Sequence, residues 1–411
     1  MSYHSFLGCF LILFLVVSRG GRCEAGEANT SMIQYGGRIV CYVTRTSYMP
    51  VTDIPDRLCT HIIVAFAEIK GLMMAALSSK DEMFYNGVTK LKFTNPALSV
   101  LISLQRDFTD VILATDQQKQ DFALDLYNYV KKYNFDGVDF DWEPNQVTPE
   151  KKQGYMKIIQ IVRSTFDNET SVLGTAPKQM SAALIPSIPR SRMYDIPGLA
   201  KVLDFATAMT YDYHMYIHNV DSTTAYNSPL YAPVGERKDY CADGTIKNYL
   251  NLGMPASKLL LGLPTYGRTY TLGEADSHSL HSPAVGKGKP GPVRKLSGLY
   301  TYQDACTVLK GSTRVWDDQS SVPYLYSGTT WASYEDQESS SKKCQYVVNN
   351  RLGGVGIWAL HLDDYNNMCG QKVFPLVRAV GSCLTKGRSA YLKYQPLSNI
   401  MTNDGHKFGY V

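Results

Sequence analysis

The feature that most constrains this chain is "FDGVDFDWEP", Phe135 to Pro144, where Asp136, Asp139, Asp141 and Glu143 are crowded among large apolar side chains. Ionised carboxylates are costly to bury unless they are paired or hydrogen-bonded, yet Val138, Phe140 and Trp142 belong in a core. A β-strand reconciles the two, because successive side chains point to opposite faces. Asp139, Asp141 and Glu143 then share one face, about 6–7 Å apart in succession, while Val138, Phe140 and Trp142 share the other. In a barrel of parallel strands wrapped by helices, the apolar set packs outward and the acids point into the barrel interior.

The rest of the chain has the alternation that such a barrel requires. Short β-branched or apolar runs recur at Gly37–Val43, His61–Ala67, Ser99–Leu104, Asp136–Trp142, Ser171–Ala176, Phe205–Tyr211, Lys258–Pro264 and Gly353–Leu360, eight in all. Helical patterns lie between them; Gln117 to Tyr133 places Phe122, Leu124, Leu126, Tyr127 and Val130 on an apolar face. The expected fold class is α/β, a closed (β/α)8 TIM barrel over residues 37–380. The seventh and eighth strands stand too far apart for a single crossover helix. Residues 266–333, with "GKGKPGP" and Tyr-rich extended stretches, predict a small α+β insertion domain, followed by a helix around Glu335 to Asn350. Residues 381–411 show no strong periodicity and read as a short tail rather than a second domain.

Composition narrows the partners. The chain has 411 residues, 44% hydrophobic and 19% charged, with a net charge of +4 and no block of like charges, which argues against a nucleic-acid surface and for a neutral or polar partner. The apolar run Phe6–Val17 is too short to span a bilayer comfortably and reads as a secretory signal peptide within residues 1–23, with an uncleaved anchor as its rival. An extracellular protein, free of the membrane once the leader is removed, is expected. Cys9 and Cys23 then leave with the leader, and Cys41, Cys59, Cys241, Cys306, Cys344, Cys369 and Cys383 remain, an odd number. In an oxidising compartment these read as disulfides with at least one leftover thiol, since no close C-x-x-C pair points to zinc. Sequons at Asn29 and Asn168 fit glycosylation on the same route.

The acids carry the chemistry. A row of inward carboxylates cannot ionise fully, so neighbours and desolvation should raise at least one pKa, as a general acid near neutral pH needs. Glu143 is outermost, at the strand end where barrel enzymes keep their chemistry, and is the natural proton donor, with Asp141 sharing or passing a proton beneath it. No metal or cofactor is expected: the acids have no neighbouring His, and Pro144 stands where an EF-hand loop needs Gly. "GKGKPG" at Gly286–Gly291 matches G-x-G-x-x-G but leads into Pro292 and no helix, so it reads as a loop.

"DGVDFDWE" resembles the D-x-x-D-x-D-x-E signature of glycoside hydrolase family 18, the chitinases and chitinase-like lectins. "CTHIIVAFA" at Cys59, "AMTYDYH" at Ala208, "NSPLY" at Asn227, "PASKLLLGLPTYGRTY" at Pro255 and "LGGVGIWALHLDD" at Leu352 extend the resemblance in the family's order. It implies the same barrel with its insertion, acting as a monomer on chitin or N-acetylglucosamine oligosaccharides. The implied reaction is endo-acting, retaining hydrolysis of β-1,4 linkages in which the substrate's own N-acetyl oxygen attacks the anomeric carbon. Carried onto this chain, Glu143 protonates the glycosidic oxygen, Asp141 orients the acetamido group, Asp139 supports Asp141, and Tyr211, if not simply a core tyrosine, bonds the acetamido group. Asp212 serves the leaving sugar, Arg268 contacts sugar and Trp358 floors the site. Met209, Tyr266 and Asp136 complete the substrate-side set, Asp136 in a mainly structural role. Cys41 with Cys59 and Cys306 with Cys369 match the family's disulfides. Thr46, Asp107 and Leu296 stand where the family carries sugar-stacking aromatics or an acidic sugar-binding residue, so an extended platform for long polymers is thin, and no chitin-binding module follows. The resemblance admits two other readings: a chitinase-like lectin that binds without turnover, and an endo-β-N-acetylglucosaminidase acting on protein glycans.

Overall fold

The computed structural model describes residues 36–394 except 47, 77, 105, 106, 144, 145 and 147, with side chains up to residue 386. The apolar leader, Cys9, Cys23, Asn29 and residues 395–411 lie outside the described residues. Eight parallel strands form the centre: β1 (Arg38–Thr44), β2 (His61–Lys70), β3 (Ser99–Leu104), β4 (Gly137–Asp141), β5 (Gln179–Leu184), β6 (Phe205–Ala208), β7 (Leu259–Pro264) and β8 (Gly354–Trp358). Each pairs with the next, and β8 pairs with β1, so the sheet closes on itself as a (β/α)8 barrel.

The alternation expected of β4 is present. Trp142, just past the strand end, stacks at 4.6 Å on Tyr155 of the helix Pro149–Leu173, and Phe140 meets Phe108 at 6.2 Å. Asp139, by contrast, reaches hydroxyls on three other barrel strands. The helix Asp116–Lys132 covers the barrel behind a capping box made by Thr115 and Gln118. Its buried face uses Ala123 and leaves Leu124 46% exposed, one position away from the expected stripe.

The fifth strand is not Ser171–Ala176. Those residues belong to the end of the helix Pro149–Leu173 and the turn after it, where Val172 is 83% exposed and Gly174, at φ 62°, takes the left-handed conformation that stops the helix. The actual strand, "QMSAAL", has no β-branched residue, because its inward positions Ser181 and Ala183 must be small: Ser181 meets Asp139, and Ala183 lines a cavity. Propensity lost to packing there.

Between β7 and β8 stands a second, antiparallel sheet built from Tyr266–Leu272, Ala284–Lys287, Leu299–Thr301, Thr313–Asp317, Val322–Ser327 and Thr330–Ser333, with the helix Tyr302–Leu309. Tyr270, Val322 and Trp331 are buried in its own small core. Its first strand starts two residues beyond β7, so the insertion rises directly from the barrel mouth. Helix Gln337–Asn349 then leads back to β8.

Residues 381–394 are not irregular. A helix runs Pro375–Tyr394, with Leu376, Val377, Val380 and Leu384 buried along one face. Cys41–Cys59 and Cys306–Cys369 are disulfides, and Cys383 on this last helix pairs with Cys344 on the helix Gln337–Asn349. Cys241 is a buried free thiol. Because the Cys344–Cys383 link spans 39 residues, Cys383→Ser should lower the unfolding free energy by about 2–4 kcal/mol. Urea unfolding monitored by tryptophan fluorescence checks this; an unchanged midpoint would show that helix packing alone holds the last element.

Candidate active site

Asp139 is fully buried at the centre of the barrel. Its carboxylate accepts from Tyr42 Oη of β1 at 3.3 Å, Ser103 Oγ of β3 at 2.8 Å and Ser181 Oγ of β5 at 2.6 Å. Burial raises its pKa above the ordinary carboxylate value, and the three hydroxyls oppose the rise. Tyr42 is pushed well above the usual phenol value, by burial first and then by Asp139, so it stays protonated and donates.

Asp141, 3% exposed, ends β4, and Glu143 follows on the same face. Both line a cavity of about 450 Å³ together with Met209, Tyr211, Asp212 and Trp358. Tyr266 and Arg268, at the start of the insertion, complete its wall. Of the residues singled out in the sequence, these eight are brought together at the C-terminal mouth of the barrel, the end where such folds place their chemistry.

The rim is held by long-range contacts. Asp212, beyond the end of β6, adopts φ 57°, a left-handed conformation that Asp tolerates better than most residues. Its N–H donates to Asn227 Oδ1 at 3.2 Å, and its Oδ1 accepts from Arg268 Nε at 2.8 Å and Nη2 at 2.6 Å. Asn227 also donates through Nδ2 to the Tyr266 carbonyl at 3.2 Å and through its backbone N–H to Ser333 Oγ at 3.0 Å. On β7, Gly262 is required: a Cβ there would lie 2.4 Å from the Ala208 carbonyl and 3.0 Å from the Tyr211 ring. Trp358 lines the same cavity, its ring 5.6 Å from Tyr42 and 5.8 Å from Phe66.

One expectation is corrected. Asp136 is not on the substrate side: it precedes β4 at the opposite end of the barrel, where Oδ1 pairs with Lys92 at 2.8 Å and Oδ2 accepts from the Val100 N–H. Asp139 lies beneath the cavity rather than on its wall, a placement compatible with the supporting role expected of it. Tyr42, Asn227, Arg190 and Tyr240 were missed. Parity along β1 could have found Tyr42, whereas Arg190 reaches the cavity from the short helix Ile188–Ser191 after β5 and Tyr240 from the loop after β6, neither of which carries a periodic signal. Asn168 is exposed on the helix Pro149–Leu173. Among the described residues, no cluster of three or more His, Cys, Asp or Glu is arranged to hold a metal ion, and no helix is long and apolar enough to cross a membrane.

A (β/α)8 barrel whose fourth strand delivers carboxylates to a Tyr- and Trp-walled cleft defines a glycoside hydrolase scaffold. Residues 38–363 match the model of Glycosyl hydrolases family 18, and the chain belongs to that family. It is 33% identical over 384 residues to Chitotriosidase-1 of Mus musculus, covering 87% of this chain and 80% of that protein. It is 29% identical over 386 residues to Chitinase-3-like protein 2 of Homo sapiens, covering 87% and 95%. Among solved structures it resembles the immunomodulatory active chitinase of Trichuris suis, with TM-score 0.79 and 30% identity, covering 85% of this chain and 100% of the other. Human YKL-39, described as a pseudo-chitinase with retained chitooligosaccharide binding properties, superposes with TM-score 0.79 at 28% identity, covering 85% and 99%. Relatives that turn over sugar and relatives that only bind it therefore share this architecture.

Ser181→Ala removes the shortest of the three bonds to Asp139 without touching the cavity wall. It should cost about 1–3 kcal/mol of stability. The lost bond favours the ionised form, so the deficit should grow as pH rises through the raised Asp139 pKa and shrink below it. Urea unfolding at several pH values measures this, and a pH-independent deficit would show that Asp139 does not titrate in the folded protein.

Proposed function

We propose that the protein is a secreted chitinase, hydrolysing β-1,4 linkages of chitin or chitooligosaccharides with retention at the anomeric carbon. The observation that carries this reading is the presence of both Glu143 and Asp141 on the wall of the cavity that Trp358 also lines. Glu143 donates its proton to the glycosidic oxygen as the bond to the leaving sugar breaks. The acetamido carbonyl oxygen of the sugar over Trp358 attacks C1 from the opposite face and closes an oxazolinium ion, so no protein nucleophile is needed.

Asp141 accepts from the acetamido N–H and balances the positive charge that develops there, while the Tyr211 hydroxyl donates to the acetamido oxygen. Asp139, below, biases where Asp141 holds its proton, helped by the hydroxyls of Tyr42, Ser103 and Ser181. Water then enters, Glu143 takes its proton, and the ring reopens with the original configuration. Asp212 and Arg268, already paired at 2.6 Å, present polar groups to the leaving sugar. The partner is a neutral oligosaccharide, and neither metal nor cofactor takes part in any of these steps.

The test is release of a fluorogenic group from chitobiose and chitotriose conjugates, with Glu143→Gln as control. The wild type should exceed the control by at least about 100-fold in kcat, since general acid catalysis contributes on the order of 10²–10⁴, while oligosaccharide binding persists in both. Binding without turnover above the control from acid to neutral pH would leave a chitinase-like lectin. Turnover of high-mannose glycopeptides but not of chitooligosaccharides would instead point to a glycan-trimming endoglycosidase.

A further inference from the structure

The rim between β8 and β1 holds an arrangement that the proposed chemistry leaves unused. Arg294, in the insertion, places its guanidinium 3.6 Å over the ring of Tyr48 in the loop after β1 and 5.3 Å from the ring of Tyr365 beyond β8. The two tyrosine centroids are 6.4 Å apart. Arg294 forms no ion pair among the described residues. Its Nη2 donates to Gln303 Oε1 at 2.8 Å, while its Nε is buried without a hydrogen-bond partner. The loop that carries it is fixed from below, since the backbone N–H groups of Val293 and Arg294 both donate to Asp304 Oδ1 at 2.7 and 3.1 Å. A guanidinium normally takes a carboxylate or several acceptors; this one is spent on an aromatic face.

The place of that face gives it meaning. Trp358 and Tyr42 line the cavity. Two residues beyond Tyr42 on β1, the Thr44 hydroxyl lies 3.3 Å from the ring of His361, and that ring is 6.2 Å from Tyr48. Burial, aided by Arg294, pushes His361 down to about 4, so at neutral pH it is uncharged beside the guanidinium. The Tyr48, Arg294 and Tyr365 stack is therefore linked through His361 and Thr44 to the ends of β8 and β1, the strands that carry Trp358 and Tyr42, while none of its three residues lines the cavity itself. On the opposite side the cavity continues to Tyr240 and Arg190, and through Met215 and Arg268 it adjoins a second cavity of about 360 Å³.

An exposed tyrosine ring beyond Trp358 would be a ready platform for the apolar face of the next sugar. With a guanidinium at van der Waals distance, that face is already covered. We propose that Arg294 is a specificity-determining residue: by masking Tyr48 it closes the β8–β1 rim, so that a chitooligosaccharide finds no stacking subsite past the ring on Trp358 and extends only toward the β6 loop and the insertion. The proposal rests on the reading of the cavity as a chitooligosaccharide site. It needs no catalysis and can be tested on binding alone.

The experiment uses the Glu143→Gln protein, which holds ligand without consuming it, and measures Kd by calorimetry for N-acetylchitooligosaccharides from trimer to hexamer. Adding Arg294→Ala should steepen the dependence on chain length, strengthening hexamer over trimer by a further factor of about 3 to 10, the range of one stacking contact. Adding Tyr48→Ala on top should abolish that gain, because the uncovered ring is what binds. An unchanged length dependence in a folded Arg294→Ala protein overturns the proposal, as does a gain that survives loss of Tyr48. Arg294→Gln, which keeps a donor for Gln303 and loses the cation, gives the same reading if the alanine variant unfolds. If Glu143→Gln binds no chitooligosaccharide of any length, the functional reading itself falls, an outcome distinct from intact binding with an unaltered length profile.

Discussion

One buried carboxylate organises the molecule. Asp139 lies in the barrel interior with no solvent to share its charge, and such a group is tolerable only when the protein supplies the hydrogen bonds that water would have given. Hydroxyls from β1, β3 and β5 do so. The requirement propagates outward: β5 must offer a serine, β3 must offer another, and β1 must place a tyrosine where its ring can also support Trp358. The constraint that makes the barrel interior polar thus also supports a ring that lines the cleft. It leaves Asp141 and Glu143, two and four residues further along the same face, to meet whatever enters.

One side of the cleft depends on the insertion as well as on the barrel, through Tyr266 and Arg268. Asp212 follows the end of β6, but it is held by Asn227 and Arg268, and Asn227 is in turn tied to Ser333, which pairs with Arg268 where the inserted sheet meets the barrel. The neighbouring Ser228 accepts from Lys343 at 2.5 Å through its carbonyl and at 2.7 Å through its hydroxyl, and Lys343 is itself a fully buried partner of Glu335. Breaking one side of such a buried pair typically costs about 3–5 kcal/mol, far more than a surface pair contributes. The insertion is therefore part of the frame of the cleft, and Lys343 of the helix Gln337–Asn349 ties the end of the insertion, at Glu335, to the barrel loop at Ser228.

What could be read from sequence follows from which forces are local. The acid row was legible because period-two alternation is a property of one strand, and β4 kept it. The fifth strand was misplaced because Ser181 and Ala183 are chosen by what faces them across the barrel, a non-local demand that looks like nothing in a strand propensity scale. The last helix was overlooked for a similar reason: Leu376, Val377, Val380 and Leu384 make a sparse stripe whose significance appears only against the helix it covers and the Cys344–Cys383 link. At the site, residues on strand ends were anticipated, whereas Arg190, on the short helix Ile188–Ser191, and Tyr240, in the long connection after β6, were not. Asp136 shows the converse error, since a carboxylate in a motif need not face the same end of the strand as its neighbours.

The proposed chemistry and the grip on a polymer use separate parts of this cleft. Substrate-assisted hydrolysis needs one acetamido group, one proton donor and the polar groups around them, and all of these would act within reach of the ring over Trp358. Holding a long chain needs stacking surfaces on both sides of that ring. Thr46 and Asp107 provide none, since the Thr46 hydroxyl accepts from the Met49 N–H and Asp107 accepts from the Thr109 N–H at a helix start. Leu296 is 45% exposed beside the loop that carries Arg294. Because the acid row is anchored by the barrel interior and the rim by loops, substitutions can erode one function and leave the other whole. The architecture is shared with an active chitinase and with a pseudo-chitinase that retains chitooligosaccharide binding. In this chain the acids remain, so the proposed chitinase reading and the proposed masking of Tyr48 together give the signature of bond cleavage on short ligands with little gain from chain length on the β8–β1 side.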